Sequence, residues 1–375
     1  MVLLPAFVAH RFRMKKTQAK RTKAGLREVA AAASVSMATV SRVLNGNPRV
    51  ARDIQRSVWR EAKKLGLDPS ARNKTKTLAF LLSNRAMLHA FHSRILSGAE
   101  AHCAANGWDM VFLSFKYSLH LPWTELHLPK VVQRQDMVRA VVLAGTNSVD
   151  LLKLLSDKGI PLVVLGNNVV GGLQDLRNHD TVFADDIQGG QDATRYLIGL
   201  GHRNIGFVGN TRLPWFARCF QGYRSAIEQH GLLVRESGAD SENETESGYL
   251  GAKSLLARDP SITAILAGND PTAHGVYKAL RDRGLRIPDD VSVIGCDDTV
   301  GMWLSPALST TREFPEQLGK QLVELALRRI AHPEEEPQSV LIPTQFVKRD
   351  SCGPPGAAIG NSPREHATIT IAGGT

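Results

Sequence analysis

The chain has 375 residues, of which 43% are hydrophobic, and its 46 Lys and Arg residues exceed its 36 Asp and Glu residues by ten charges. This length predicts two or three domains with ample core, and the absence of any run of 18 apolar residues argues against a membrane-spanning protein. Four scattered cysteines without metal-like spacing argue against a disulfide-stabilised secreted protein and favour a reducing cytosol. They are Cys103, Cys219, Cys296 and Cys352.

The positive charge is confined to the amino end. Residues 1–76 hold 18 Lys and Arg and 4 Asp and Glu, a net charge of +14, whereas the other 299 residues hold 28 and 32, a net charge of −4. A basic segment on a mildly acidic body is typical of a nucleic-acid-binding protein. A membrane surface would also attract it, but the sequence has neither an amphipathic anchor nor a lipidation signal.

The first residues predict a flexible basic arm over residues 1–23, with translation starting at Met1 or Met14. The segment Met1–Val8 places apolar residues before the basic ones, which is the reverse of a secretory signal. We therefore expect a cytoplasmic protein.

Residues 26–45 predict two short helices joined by a tight turn. Apolar residues recur at helical spacing from Leu26 to Ala33, and Ser36 is a predicted N-cap of the second helix. Two helices arranged in this way hold the second one out as a probe of the DNA major groove. An ordinary helical hairpin is the alternative, which the surrounding charge disfavours.

This segment resembles the headpiece of the lactose/galactose-repressor (LacI/GalR) family of transcriptional regulators. The resemblance is carried by Glu28–Ala30, Val35–Ser36 and Thr39–Asn45, and it continues through Arg49–Pro69 into that family's third helix. It implies a helix-turn-helix headpiece over residues 24–67 that binds a near-palindromic double-stranded DNA operator as a homodimer.

The resemblance also implies which residues meet DNA. Met37 and Ala38 are expected to contact base edges, and Arg42 is expected to read guanine or hold a phosphate. The remaining polar residues are expected to position the DNA backbone. The predicted DNA-binding residues are Ser36, Met37, Ala38, Thr39, Ser41, Arg42, Asn45 and Arg72.

The hinge over residues 68–77 departs from the family pattern. The family has a short helix there with a leucine that enters the minor groove, whereas this hinge is shorter and contains no leucine. We predict that Arg72, Lys74 and Lys76 contact phosphates or the minor groove in its place.

From residue 78 to residue 350 short apolar strands alternate with amphipathic helices. Most strands are continuously apolar, as expected for a parallel sheet buried on both faces, so the pattern predicts a doubly wound α/β fold. The predicted strands are Leu78–Leu82, Met110–Leu113, Ala140–Leu143, Leu162–Leu165, Ile205–Val208, Ala264–Leu266 and Val291–Ile294, and the predicted helices are Ile95–Asn106, Gly189–Gly201 and Gly222–His230. Residues 351–375, rich in Gly, Pro and Ala, are predicted to be a disordered tail.

Polar and aromatic residues follow the predicted strands, where ligands bind in such sheets. Asp, Asn and Arg supply acceptors and donors for hydroxyls, and flat aromatics cover the apolar faces of sugars or bases. A helix cap is the alternative for Asp185 and Asp270, and core packing for Trp215. The predicted effector-binding residues are Asn84, Phe91, His92, Asp185, Trp215, Arg218, Asn269 and Asp297.

The body also resembles the effector domain of that repressor family, in which two α/β lobes enclose a cleft, as in periplasmic sugar-binding proteins. The matching stretches include Leu200–Gly209, Gly284–Asp298 and Pro306–Thr311. The resemblance implies a small sugar-like effector in the cleft that modulates DNA affinity. The family usually has an effector-binding Arg three residues before Gly222, where this chain has Cys219.

Two other function classes fit the sequence less well. A solute-binding protein without regulation would need a secretory signal and no basic headpiece. For an enzyme, the sequence offers no Gly-x-Ser-x-Gly, P-loop or Gly-x-Gly-x-x-Gly motif, and His89 and His92 have a metal-compatible spacing without an evident third ligand. We therefore expect no catalysis, no metal and no cofactor, and turnover of a sugar or nucleotide would revive the enzyme hypothesis.

Overall fold

The structure is a computed structural model that describes residues 25–44, 50–66, 75–87, 89–134, 136–171, 173–241 and 243–356. The predicted basic arm, most of the hinge, and the predicted site residues Asn45 and Arg72 lie outside the described residues. None of the described helices is both long and apolar enough to cross a membrane.

Three helices form the headpiece: α1 (Leu26–Ala32), α2 (Met37–Leu44) and α3 (Arg52–Lys64). They share a small core of buried residues from all three helices. That core consists of Val29, Ala30, Val40, Val43, Val58 and Ala62. The turn between α1 and α2 contains Ser34 with a φ of 54°, a left-handed conformation that reverses the chain within a few residues.

The body contains two six-stranded sheets. The first has the order β13-β7-β5-β3-β1-β2 and is parallel throughout, and the second has the order β14-β12-β11-β10-β8-β9 with only β14 antiparallel. The strands are β1 (Thr77–Ser83), β2 (Asp109–Phe115), β3 (Ala140–Gly145), β4 (Asn147–Ser148), β5 (Leu162–Leu165), β6 (Val169–Val170), β7 (Asp180–Ala184), β8 (Ile205–Val208), β9 (Glu236–Ser237), β10 (Ala264–Ala267), β11 (Ser292–Asp297), β12 (Ser309–Arg312), β13 (Ser339–Ile342) and β14 (Gln345–Val347). The doubly wound fold and all seven predicted strands are confirmed.

The sheets are covered by α4 (Ala90–Ala105), α5 (Val149–Asp157), α6 (Asp186–Gly199), α7 (Pro214–Gln229), α8 (Glu244–Arg258), α9 (Asp270–Asp282) and α10 (Pro315–Ala331). The three predicted helices exist, but each starts earlier than expected. The largest difference is in α7, predicted from Gly222, because Pro214 at its first turn fixes a helical φ and starts the helix eight residues earlier.

The alternation of strands and helices is interrupted between β2 and β3, where the described residues from 116 to 139 form no helix. Pro122 and Pro129 lie in this segment and cannot donate the backbone hydrogen bonds of a helix. The segment instead places Leu126 and Val132 in the core of the first sheet. The alternation of strands and helices is thus broken at this point.

The chain crosses between the sheets three times, which divides the body into two lobes. The first lobe comprises residues 75–184 and 315–342, and the second comprises residues 186–312 and 345–356. The crossovers lie at Asp185, at Glu313 and at Pro343–Thr344. They lie side by side between the lobes, where the ligand cleft was predicted.

Three pairs of packed helices cross at glycines: α4 with α10, α6 with α7, and α8 with α9. In the second pair, a Cβ at Gly222 would collide with the backbone carbonyl of Ile187, and a Cβ at Gly190 would collide with that of Cys219. The other two pairs have the same reciprocal arrangement, at Gly98 with Gly319 and at Gly248 with Gly275. In each of these three helix pairs, the two backbones are therefore in direct contact where the helices cross.

The disordered tail was predicted to begin at Ser351, but Ser351 is buried in the second lobe. The Ser351 hydroxyl is buried, donates to the Val293 carbonyl at 2.6 Å and accepts from the Ser309 amide at 2.8 Å. Residues up to 356 are described, and the rest of the predicted tail lies outside the described residues.

Candidate functional site

Helix α2 presents a short exposed surface. Met37 is 47% exposed, and Ala38 and Arg42 are exposed beside it, while Thr39 and Ser41 are half-buried. The Ser36 hydroxyl accepts a hydrogen bond from the Thr39 amide at 3.1 Å, so the predicted N-cap is present. This surface carries one positive charge and little bulk, which suits insertion into a groove.

The second candidate site is a cavity between the two lobes that encloses about 470 Å³ of space, part of it open to solvent. Residues from both lobes and from the crossover at Glu313 line it. They are Arg85, His89, Phe91, His92, Asn167, Asn168, Asp186, Trp215, Cys219, Glu244, Gly268, Asn269, Asp297 and Glu313.

The structure brings five of the eight predicted effector residues together in this cavity: Phe91, His92, Trp215, Asn269 and Asp297.

The other three lie outside the lining. Asn84 accepts from the Tyr117 amide and donates to the Thr146 carbonyl, and Asp185 caps α6 by accepting from the Gln188 amide. Both side chains are thus engaged by backbone, and neither is part of the lining. Arg218 lies behind the wall, with its Nε 2.6 Å from Asp186.

Sequence reasoning missed a group of charged residues in the lining, notably Arg85, Asp186, Glu244 and Glu313. Asp186 directly follows the predicted Asp185, and Glu313 directly follows β12. Both residues lie just beyond the end of a strand, where ligands bind in such sheets, so their positions in the sequence could have identified them as lining residues. Glu244 is the first residue of α8 and had no such signal.

Glu244 of the second lobe joins the two lobes. Its carboxylate accepts from Arg85 at 2.9 Å, lies 3.2 Å from His89 Nε2, and accepts from Asn269 at 2.8 Å. Burial favours a raised pKa, but the His89 hydrogen bond and the Arg85 charge outweigh it and lower the pKa of Glu244 to about 2. The Arg85 guanidinium also lies 4.0 Å from the centroid of the Trp215 ring. Two second-lobe residues thus hold one first-lobe arginine.

His92 is buried and neutral in this cavity. Its Nε2 lies 3.0 Å from the Asn168 amide nitrogen, and its Nδ1 lies 3.3 Å from His89 Nδ1. Burial, followed by the charges of His89 and Arg85, lowers the pKa of His92 well below its usual value.

Three carboxyl groups face the cavity from the second lobe and the crossover. Asp186 accepts from Arg218 at 2.6 Å and from Asn167 at 2.9 Å, and one oxygen of Asp297 accepts from the amide and hydroxyl of Thr299. Glu313 receives no hydrogen bond and forms no ion pair within the described part of the chain.

All three carboxyls are harder to ionise than usual. Burial raises the pKa of Asp186 to about 6, and burial followed by the charge of Asp186 raises the pKa of Glu313 to about 8. Burial and the charge of Asp270 raise the pKa of Asp297 well above its usual value. At pH 7 the Glu313 carboxyl therefore keeps its proton in the empty cavity, and a cation placed beside it would favour the ionised form.

Cys219 also lines the cavity, with its sulfur 3.3 Å from that of Cys296 on β11. Both thiols are buried, and the contact with Cys219, followed by burial, raises the pKa of Cys296. The position three residues before Gly222 therefore contributes a thiol to the wall.

Two family models match the chain. The model described as bacterial regulatory proteins, lacI family, matches residues 25–70, and the model described as a periplasmic binding protein-like domain matches residues 194–352. The first match contains α1, α2 and α3, and the second contains most of the second lobe.

Curated relatives match over nearly their whole length. The ribose operon repressor of Haemophilus influenzae is 30% identical over 339 residues, which are 88% of this chain and 98% of that protein. The HTH-type transcriptional repressor PurR of Yersinia pestis is 30% identical over 338 residues, which cover 88% and 96% of the two chains.

Solved structures show the same fold. A complex of the transcriptional regulator CelR with cellobiose is 29% identical, with a TM-score of 0.66 over 88% of this chain and 99% of that one. A LacI family regulator from Enterococcus faecium with bound ribose is 26% identical, with a TM-score of 0.62 over 74% of this chain and 99% of that one.

Proposed function

The chain belongs to the lacI family of bacterial regulatory proteins, and on that premise we propose that it is a transcriptional repressor that binds a DNA operator as a homodimer. A small sugar-like effector in the inter-lobe cavity modulates its affinity for the operator. Because its target is DNA and its relatives are repressors, we place its action in the cytoplasm.

The observation that carries this proposal is the presence, in one chain, of an exposed reading helix and a cavity shared by two lobes. Met37 and Ala38 make apolar contacts with base edges, and Arg42 reads guanine or holds a phosphate. Ser36, Thr39 and Ser41, together with Asn45 and Arg72 outside the described residues, position the DNA backbone. The non-regulatory alternative has no use for this helix.

Contacts between the headpiece and the body provide a physical connection. Arg56 and Lys63 of α3 meet the segment after α10, with Arg56 Nη1 2.6 Å from Glu336 and Lys63 Nζ 3.5 Å from Glu334. The other end of α10 follows Glu313, which lines the cavity. A change at the cavity thus reaches the headpiece through one helix, and an effector that prefers one lobe arrangement shifts its population.

Two features support a homodimer and a sugar-like effector. Met302 is 61% exposed and Trp303 is 79% exposed on the second lobe, and adjacent exposed apolar side chains favour burial against a second copy. The solved relatives with bound cellobiose and ribose support a sugar or related metabolite as effector.

Selection of oligonucleotides by the full chain tests the proposal. We expect recovery of a near-palindromic site, and we expect Arg42→Ala to weaken binding to that site by about 1–3 kcal/mol, the usual value of a good base contact. Arg60→Ala on α3 is the control, because it removes the same charge from the headpiece without touching α2. Recovery of only asymmetric or unrelated sequences would contradict a dimeric repressor.

A thermal-shift screen of sugars, sugar phosphates and nucleobases tests the effector half of the proposal. A real effector stabilises the body by mass action, so the midpoint temperature must rise with its concentration. An effector must also change the affinity for the selected operator, in either direction.

A further inference from the structure

We infer that the effector is an amino sugar, whose ammonium group is held by Glu313 and Asp297 in the inter-lobe cavity. The inference rests on the proposed function, because it assigns a chemical class to the ligand of the same cavity. It excludes sugar phosphates and sugar acids, and it predicts that neutral sugars bind more weakly than their amino counterparts.

The balance of charge in the cavity is the first argument. Arg85 is the only arginine of the described lining, and its charge is paired with Glu244, although its buried Nε has no described acceptor. Arg218 behind the wall is paired with Asp186. His92 is neutral, and Arg85 and His89 both face the Glu244 carboxylate, so each basic side chain of the described lining that can carry charge already has a carboxylate partner.

Two carboxyls remain after these pairs are formed. Glu313 has no partner among the described residues, and Asp297 uses only one oxygen, Oδ1, to accept from Thr299. The charge of Glu313 itself contributes to the raised pKa of Asp297. Asp297 is buried and Glu313 is partly exposed, and two acidic groups that oppose each other's ionisation are stabilised by a cation placed between them.

The hydrogen-bonding groups of the lining point in the same direction. Asn269 donates to Glu244 and accepts from the Thr272 amide, Asn168 is engaged with His92, and Asn167 is engaged with Asp186. What remains for a ligand is the carboxyl groups of Glu313 and Asp297 and the Nε donor of Arg85, so a ligand that brings several donors matches most of the free groups. An ammonium group brings three donors and the compensating charge, whereas a phosphate brings acceptors and repulsion. Phe91 and Trp215 supply apolar surface for the sugar ring.

Calorimetric titration of the full-length protein at pH 7 tests the inference with matched sets of ligands. Each set contains an amino sugar, the neutral sugar and its 6-phosphate: glucosamine, glucose and glucose 6-phosphate, with the corresponding galactose and mannose sets. In at least one set we expect the amino sugar to bind about tenfold or more tightly than the neutral sugar, a difference of about 1.4 kcal/mol, and the phosphate not to bind.

Variants of the two carboxyls test which residues cause the preference for the amino sugar. Glu313→Gln keeps the shape of the side chain and removes its charge, so we expect it to reduce the amine preference to less than threefold. Asp297→Asn tests the second carboxyl in case one variant folds poorly. Glu324→Gln, an exposed carboxylate on α10, is the control and must keep the preference.

The outcomes separate this inference from the proposed function. A neutral or phosphorylated sugar that binds as tightly as its amine counterpart overturns the inference and leaves the repressor proposal intact. A panel without any binder also overturns the amino-sugar class, while operator selection decides independently whether the chain is a repressor. An amine preference that survives in both Glu313→Gln and Asp297→Asn overturns the assignment to these carboxyls.

Discussion

Ser36 sets the start of α2, the helix that we propose reads DNA. Its hydroxyl accepts from the Thr39 amide at 3.1 Å and lies 2.9 Å from the Thr39 hydroxyl. Ser36→Ala leaves that amide without an acceptor, and we expect the headpiece to lose about 1 kcal/mol of stability, the usual cost of losing a cap. Thermal unfolding followed by circular dichroism measures the loss. Ser36→Asp is the control, and it should unfold close to the wild type because aspartate also caps helices.

Glu313 predicts how the stability of the body depends on pH. Its pKa is raised from 4.5 to about 8 in the folded protein, so the folded state holds this proton where the unfolded state has lost it. The free energy of unfolding therefore falls as the pH rises from about 4.5 to 8. Asp186 and Asp270, whose pKa values are raised to about 6, add a decrease of the same sign at lower pH.

Glu313→Gln removes the contribution of Glu313 and also the part of the raised pKa of Asp297 that Glu313 causes. Between pH 6 and pH 8.5 we expect the denaturation midpoint of the wild type to fall more steeply in urea than that of Glu313→Gln, with the two closest near pH 5. Equal slopes for the two proteins over this interval would show that Glu313 ionises freely. Glu244 acts in the opposite direction, because its lowered pKa makes its contribution disappear below about pH 4.5.

Among the secondary-structure elements, the three helix pairs that cross at glycines are sensitive to a single added methyl group. Gly222 of α7 lies against the carbonyl of Ile187 in α6, so Gly222→Ala forces the two helices apart. We expect a loss of about 1–3 kcal/mol, as for other overpacked sites, measured by urea unfolding. Gly199→Ala near the end of α6 has nothing within 4 Å of the new methyl and should be neutral or stabilising.

The strands were predictable where they are continuously apolar, as in Ala140–Leu143, because burial on both faces leaves that pattern in the sequence. Strand β12 was missed because its sequence, Ser-Thr-Thr-Arg, is polar although Ser309 and Thr310 are fully buried. Missing β12 also concealed Glu313, which follows it directly. Asp297 was found because the apolar run of β11 precedes it.

The contacts between the lobes were beyond sequence reasoning for a different reason. Arg85 and Glu244 are 159 residues apart, and only the folded chain brings them together. Sequence alone gave no reason to expect a polar partner for Arg85, and it suggested core packing or stacking on a ligand for Trp215. In the structure Trp215 faces the cavity beside that arginine.

The ion pair between Arg85 and Glu244 matters for the whole molecule, because it connects the two lobes without a ligand. Both partners are largely buried, at 13% and 9% exposure, so Glu244→Gln leaves Arg85 without its compensating charge. We expect the open arrangement to gain population, with a larger radius of gyration in small-angle X-ray scattering. Glu246→Gln, an exposed residue in the same turn of α8, should leave the radius unchanged. An unchanged radius in Glu244→Gln would show that other contacts keep the lobes closed.

The three crossovers determine when each lobe can be completed during synthesis on the ribosome. The first lobe starts at residue 75, but its long helix α10 and its edge strand β13 are the last parts made, ending at Ile342. Until then, α4 and the strands beside it lack the helix that covers them, and the core residues Ile95 and Ala99 remain without the contacts of Leu318 and Leu322. The second lobe, apart from β14 and residues 348–356, is made before α10. The nascent chain therefore completes its two lobes almost together, and only after residue 342 has been translated.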